Sequence, residues 1–211
     1  MAQRIIIADD HPLFRTALGH AVGRVWPEAE IVETSSAKGA REAVEAGAEA
    51  LLLDLHMEDS NGLSALMDFR QDFPALPVVI VSASEEARVY AAASQLGAAA
   101  FIPKSASLET MREALACVRE GENWFPETGS GPDEDLAKIA SLTPAQRRIL
   151  GQLSEGLLNK QIAYELDISE ATVKAHITAI FRKLGVVNRT QAVLLAGKLD
   201  VDQAVADPAA G

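Results

Sequence analysis

Five short apolar runs punctuate the first 125 residues, and four of them stop abruptly at a charged or hydroxyl residue. Arg4–Ala8 (RIIIA) ends at Asp9-Asp10, Ala50–Leu53 (ALLL) at Asp54, Pro77–Val81 (PVVIV) at Ser82, and Ala99–Pro103 (AAFIP) at Lys104. Glu30–Thr34 (EIVET) is the remaining run. Runs that are apolar throughout, rather than alternating, fit strands covered on both faces. The stretches between them carry helical spacing: Leu13, Ala17, Leu18, Ala21 and Val22; Ala40, Ala43 and Val44; Leu63, Leu66, Met67 and Phe69; Val89 to Leu96; and Leu108, Met111, Leu115 and Val118. Five strand–helix units in a row predict an α/β, doubly wound, five-stranded parallel sheet with right-handed crossovers. Gly97 and Gly121 stand where the fourth and fifth helices need a terminating residue.

In such a sheet the carboxyl ends of the strands share one edge, and ligands bind there. Asp9, Asp10, Asp54, Ser82 and Lys104 are therefore expected to converge. Each has an ordinary explanation by itself: an aspartate or serine after a strand makes a turn or caps a helix, and a lysine is solvated. Together they make a chemical set. Three close carboxylates repel one another unless a cation intervenes, and hard oxygen ligands suit Mg²⁺. A metal and a lysine would offset the charge of an incoming phosphoryl group. Asp54, alone at the middle strand, is the candidate nucleophile, with the Asp9-Asp10 pair better placed for the metal.

Charge divides the chain. The whole carries 19 Lys+Arg and 30 Asp+Glu, net −11. Residues 1–140 hold 11 basic and 23 acidic residues, whereas residues 141–200 hold 8 basic against 5 acidic. Only the second part is expected to meet a polyanion. Between them, ETGSGPDEDLAKIA breaks every periodic pattern and predicts a linker over 126–140, with a short helix after Asp133. The expected organisation is a first domain at 1–125, that linker, a second domain at 141–203 and a tail at 204–211. The single cysteine, Cys117, excludes an intramolecular disulfide and a cysteine metal cluster. The opening MAQRIIIADD is too short for a signal h-region or a membrane span, so a soluble cytoplasmic protein is expected, with no membrane partner.

Residues 141–200 read as short helices. Thr143, Pro144 and Gln146 open the first with a capping box, and Gly156 closes it. Asn159 is the expected cap of the second helix, and Ser169 of a longer third one that Gly185 stops. Asn188-Arg189-Thr190 starts a fourth. Two short helices, the second longer and basic, predict a helix-turn-helix within a small all-α domain. The longer helix would bury Val173, Ile177, Ile180, Phe181 and Leu184 and present Lys174, Ala175, Thr178, Arg182 and Lys183. Lys160, Lys174 and Arg189 are the first candidates for phosphate or groove contacts. A plain helical bundle with solvated lysines accounts for the same spacing.

The blocks IIIADDHPLFR, LLLDLHMEDSNGL, VVIVSAS and AAFIPKS resemble, in order, those of the two-component receiver domain, a flavodoxin-like fold. The stretch LTPAQRRIL…EGLLNKQIAYELDISEATVKAHITAIFRKLGVVNRTQAV is similar to the LuxR-type helix-turn-helix. The whole resembles a response regulator of the NarL/FixJ type. That resemblance implies that Asp54 accepts phosphate from a sensor histidine kinase. It implies a Mg²⁺ ion on Asp9, Asp10, Asp54 and the backbone carbonyl of His56. Ser82 and Lys104 would hold the phosphoryl group, and Phe101 would follow Ser82 inward. In the second domain it implies that Lys174, Ala175 and Thr178 face the groove of double-stranded promoter DNA. Asn159, Lys160, Asn188 and Arg189 would lie nearer its backbone. A homodimer on DNA, paired through the helix at Thr190–Lys198, is also implied.

The chain departs from the family at several places. Glu58 replaces a proline four residues after Asp54, and Ser105 follows Lys104 where proline is usual. Gln146, Leu158 and Thr178 stand where glutamate, serine and lysine are common. His56 and Ser84 occupy places that influence phosphoryl lifetime. Two rival readings remain at this stage: a DNA-binding regulator independent of phosphate, and a Mg²⁺-dependent aspartyl-phosphate phosphohydrolase.

Overall fold

The computed structural model describes residues 3–57, 59–60, 62–126 and 133–199. The chain forms two compact units that divide at Pro132–Asp133. The first alternates strands and helices: β1 (Arg4–Ala8), α1 (Pro12–Val25), β2 (Glu30–Thr34), α2 (Ala37–Glu45), β3 (Ala50–Asp54), α3 (Leu63–Asp72), β4 (Val78–Ser82), α4 (Ala87–Gln95), β5 (Ala100–Pro103) and α5 (Leu108–Arg119). All strands pair parallel in the order β2-β1-β3-β4-β5. The expected doubly wound sheet is thus the observed one. Two strands run one residue further than the apolar pattern suggested, so Asp54 and Ser82 are the last residues of β3 and β4. Their backbones are fixed by the sheet while their side chains stand at its edge.

The sheet is buried on both faces, as unbroken apolar strands require. One layer joins Ile5, Ile7, Leu52, Val79, Val81 and Ile102 to Leu18, Val22, Leu115 and Val118 of α1 and α5. Alternation sends Ile6, Leu51, Leu53, Ile80 and Phe101, all fully buried, to the opposite face. After α5 the chain returns to the sheet: Phe101 N–H donates to Trp124 O at 3.0 Å and Trp124 N–H to Ala99 O at 3.1 Å, lengthening the β5 edge. Gly97 and Gly121 follow the last residues of α4 and α5 with φ of +89° and +82°, the left-handed position that glycine fills without strain.

The second unit holds α6 (Glu134–Ala140), α7 (Pro144–Ser154), α8 (Asn159–Glu165), α9 (Glu170–Leu184), α10 (Arg189–Ala196) and a 3₁₀ turn at Gly197–Leu199. Its boundary corrects the expected one. Residues 133–140, assigned to the linker, belong to this unit, because Leu136 and Ile139 of α6 are buried in it. Asp133 and Asp135 are held by Lys198 Nζ at 2.9 and 2.8 Å. The remainder of the expected linker, 127–132, and the tail beyond Leu199 lie outside the described residues. Asn159 is not the cap of α8 but its first helical residue; the cap position is Leu158, which has no side-chain acceptor.

Candidate functional site: an acidic pocket and an exposed helix

The ends of β1, β3, β4 and β5 bring the predicted residues of the first unit together. Asp9 and Asp54 are completely buried, as is Ser82. Lys104 Nζ donates to Asp54 Oδ2 at 2.7 Å and lies 2.8 Å from Asp9 Oδ2, so one ammonium bridges two buried carboxylates. Burial alone would lower the Lys104 pKa, but its hydrogen bonds to Asp54 and Asp9 outweigh it and raise it. Asp54 Oδ1 accepts the His56 amide at 3.1 Å, and Asp9 Oδ1 accepts the His11 amide at 2.8 Å. The amide of Lys104 donates to Ser82 O at 2.8 Å, tying the lysine to the neighbouring strand end.

Ligand atoms of Asp9, Asp10, His11 and Asp54 all lie within 4.8 Å of one another. The buried oxygens Asp9 Oδ2 and Asp10 Oδ1 meet ion-pair partners, Lys104 Nζ at 2.8 Å and the His11 ring at 2.6 Å, without well-directed hydrogen bonds among the described residues. Mutual repulsion in a set of three carboxylates is what a cation would relieve. The cluster can therefore hold a metal. His56, expected as a ligand through its carbonyl, lines the same pocket. Its ring Nδ1 stands 3.3 Å from Ser82 Oγ and 3.7 Å from Asp54 Oδ1. Ser82 Oγ also accepts the Ser84 amide at 3.2 Å. Phe101 is buried with its ring centroid 4.6 Å from that of Tyr90. No cis peptide bond occurs among the described residues, so the Lys104–Ser105 turn is trans.

Three neighbours were not singled out from the sequence. The His11 ring reaches Asp10 Oδ1 at 2.6 Å, and Arg15 Nη1 donates to Asp9 O at 2.6 Å. Phe14 lies under Lys104, with Nζ 5.0 Å from the ring centroid. All three belong to the DDHPLFR stretch, and the helical period after Pro12 would have placed them beside the acid pair. His11, Leu13, Phe14, His56, Ala83 and Lys104 line a cavity of about 360 Å³ at the strand ends.

In the second unit α8 and α9 form the expected pair. Val173, Ile180 and Leu184 of α9 are buried, and Ile177 and Phe181 are half-buried. Lys174, Ala175 and Thr178 are exposed together on the opposite face. Lys174 Nζ pairs with Glu170 at 2.9 Å, one turn away. Lys160 and Arg182 are exposed, and Asn159 is half-buried in the first turn of α8. Asn188 caps α10, accepting the Gln191 amide at 2.9 Å. Two cations of the predicted basic face are turned inward. Arg189 Nη2 donates to Leu153 O and Leu157 O at 3.0 and 2.8 Å, closing the end of α7. Lys183 Nζ donates to Ser141 O at 2.8 Å.

Residues 5–116 match the response regulator receiver domain, and residues 140–196 match the bacterial regulatory proteins of the luxR family. The chain is similar to the glycerol metabolism activator of Pseudomonas putida, 39% identical over 212 residues that cover 93% of this chain and 96% of that one. It is also similar to the nitrate/nitrite response regulator protein NarP of Escherichia coli (strain K12), 32% identical over 203 residues, 91% of this chain and 93% of NarP. Its fold is shared with RcsB from Salmonella enterica serovar Typhimurium, solved bound to a promoter with the phosphomimetic BeF3−. The TM-score is 0.56 at 22% identity, covering 94% of this chain and 100% of RcsB. The chain belongs to the two-component response regulators of the NarL/FixJ type, a receiver domain followed by a LuxR-type DNA-binding domain.

Proposed function

We propose that phosphorylation of Asp54 controls promoter binding by the second unit, with a sensor histidine kinase as phosphodonor. The observation that carries this is the pair of wholly buried carboxylates, Asp9 and Asp54, held by the single ammonium of Lys104. A carboxylate oxygen of Asp54 attacks phosphorus, a P–O bond forms, and the P–N bond to the donor's imidazole breaks. Asp9, Asp10, Asp54 and the main-chain carbonyl of His56 would hold Mg²⁺, which supplies charge neutralisation for the phosphoryl oxygens. Lys104 then moves its hydrogen bond from the carboxylate to the phosphoryl group, and Ser82 exchanges its contact with His56 for one with a phosphoryl oxygen. Phe101 shifts against Tyr90 as Ser82 moves, and the β5 edge changes with it. The outcome is a population shift rather than turnover of a substrate. The protein acts in the cytoplasm, where its promoter lies.

On DNA, Lys174, Ala175 and Thr178 of α9 meet the major groove, with Lys160, Asn159 and Asn188 near phosphates. RcsB, which shares the fold, is solved bound to a promoter with BeF3−, which supports promoter binding as the output. So small a reading head makes few contacts, which favours a homodimer on paired half-sites, with α10 as its surface. Intact-protein mass after acetyl phosphate and Mg²⁺ tests the reading. One phosphoryl group is expected on the wild type, and none on Asp54→Asn or without metal. Equal labelling of Asp54→Asn would overturn it, and so would BeF3− leaving promoter affinity unchanged.

A further inference from the structure

The loop after the phosphoacceptor is tied to a helix that takes no part in the pocket. Asp59, five residues past Asp54, accepts the Ala37 amide on Oδ1 at 2.8 Å and the Lys38 amide on Oδ2 at 3.1 Å. These are the first two amides of α2. Ser36 Oγ takes the third, from Gly39, at 3.0 Å, and the amide of the cap residue Ser36 itself donates to Thr34 Oγ1 at 3.4 Å. All four amides that a helix start leaves open are thus paired, two of them by one carboxylate from another segment. The first turn of α2 has no acidic residue of its own, so Asp59 also supplies the anion that its dipole favours.

The loop runs from Leu55 to Gly62, contains no proline, and includes Gly62 at φ +51°. Leu55 and Met57 are buried, and Ser60 N–H closes a turn on Met57 O at 2.9 Å. His56 lies between the two buried residues, donating its amide to Asp54 Oδ1 and holding Ser82 with its ring. We propose that Asp59 is a positioning residue for the phosphoacceptor pocket, fixing the loop that follows Asp54 and carries His56 by anchoring it to the start of α2. The inference rests on the receiver chemistry above. A carboxylate with two directed acceptor bonds is an anchor with little play, and groups that orient ligands of a metal set its affinity.

Mn²⁺ binding to the full chain, read by electron paramagnetic resonance of the free ion with Mg²⁺ as competitor, tests it. Asp59→Ala is expected to weaken both ions roughly tenfold, and Asp59→Asn, which keeps one acceptor, by less. Ser36→Ala removes a cap from the same helix without touching the loop, and should leave metal affinity at the wild-type value. Wild-type affinity in Asp59→Ala would overturn the proposal, as would equal weakening by Ser36→Ala, which would make the effect a property of α2. If Asp59→Ala does not fold, the comparison of Asp59→Asn with Ser36→Ala decides on the same terms. A wild type that takes no phosphate from acetyl phosphate would count against the receiver chemistry, while the metal comparison still decides the role of Asp59.

Discussion

At the scale of single residues, Lys104 is the group on which the resting pocket depends. It faces two carboxylates with no exposure, and its own side chain is only 16% exposed. Its pKa is lowered by burial and raised by more through Asp54 and Asp9, ending above the ordinary 10.5. A cation whose folded pKa is raised stabilises the fold below the unfolded value and loses that contribution as pH climbs through the folded one. On the alkaline side the bridge therefore persists beyond the neutral range and fails in strong alkali. Removing the cation leaves buried carboxylates facing each other, which costs about 3 kcal/mol when one partner of a buried pair is lost. Lys104→Met is expected to show that loss in urea unfolding with EDTA present, and to regain more stability on adding Mg²⁺ than the wild type does. Equal response of the two proteins to Mg²⁺ would show that the lysine and the metal do not share the same carboxylates.

At the scale of elements, what was legible in the sequence was what depends on neighbours along the chain. The five strands, the strand-end acids, the Thr143–Gln146 capping box and the Gly185 stop at φ +72° all follow from local spacing. What was not legible involves partners far apart in sequence. Arg189 reads as a DNA contact until α7 is seen to end beneath it. The charged stretch at 133–138 reads as linker until Lys198 is found between its carboxylates. Asp59 has no role in the sequence reading, and gains one only from the start of α2 against it.

Two predictions belong to this scale. Leu158 at the cap of α8 leaves half a capping box: Gln161 Oε1 accepts the Leu158 amide at 2.7 Å, and nothing on Leu158 answers. Leu158 is also 66% exposed, so little packing is lost on replacing it. Leu158→Ser should stabilise the second unit by about 1 kcal/mol in thermal unfolding. No gain would mean that the helix start is already fixed by Gln161. The second concerns the tie of α6 to Lys198. Burial opposes the shift at Asp133, but the Lys198 and backbone hydrogen bonds prevail and lower its pKa; hydrogen bonds from Lys198 and Lys138 lower that of Asp135. Depressed carboxylates stabilise above their unfolded value of 3.8 and lose that contribution as pH falls through the lower folded values. The protection of the α6 amides, taken relative to the intrinsic exchange rate at each pH, should fall below pH 4 in the wild type. In Lys198→Met it should already be lower at pH 7 and change less on acidification. The effect is small, because the groups are partly solvated.

At the scale of the whole molecule, the balance of charge has to be reconciled with binding a polyanion. The chain as a whole carries −11, and even the second unit gains acids once Asp133, Glu134 and Asp135 are counted with it. Its positive charge is local. On and beside the reading face Lys160, Lys174 and Arg182 are exposed, while Arg189 and Lys183 serve backbone carbonyls and Asp133 and Asp135 are held by lysines. Few cations then meet few phosphates, so affinity for promoter DNA should fall only gently with salt, by roughly 0.9 in log K per log salt for each phosphate neutralised. The acidic receiver adds a second, long-range effect, because its field opposes DNA over about 10 Å at 0.1 M salt. A fragment of residues 133–211 is therefore expected to bind non-specific DNA more tightly than the unphosphorylated full chain at 50 mM salt. The two should converge by about 0.3 M as screening removes the difference. Fluorescence anisotropy across that salt range separates two mechanisms. Convergence assigns the difference to charge. A gap that persists at high salt would mean instead that the unphosphorylated receiver occludes α9 by direct contact, and that phosphorylation acts by releasing it.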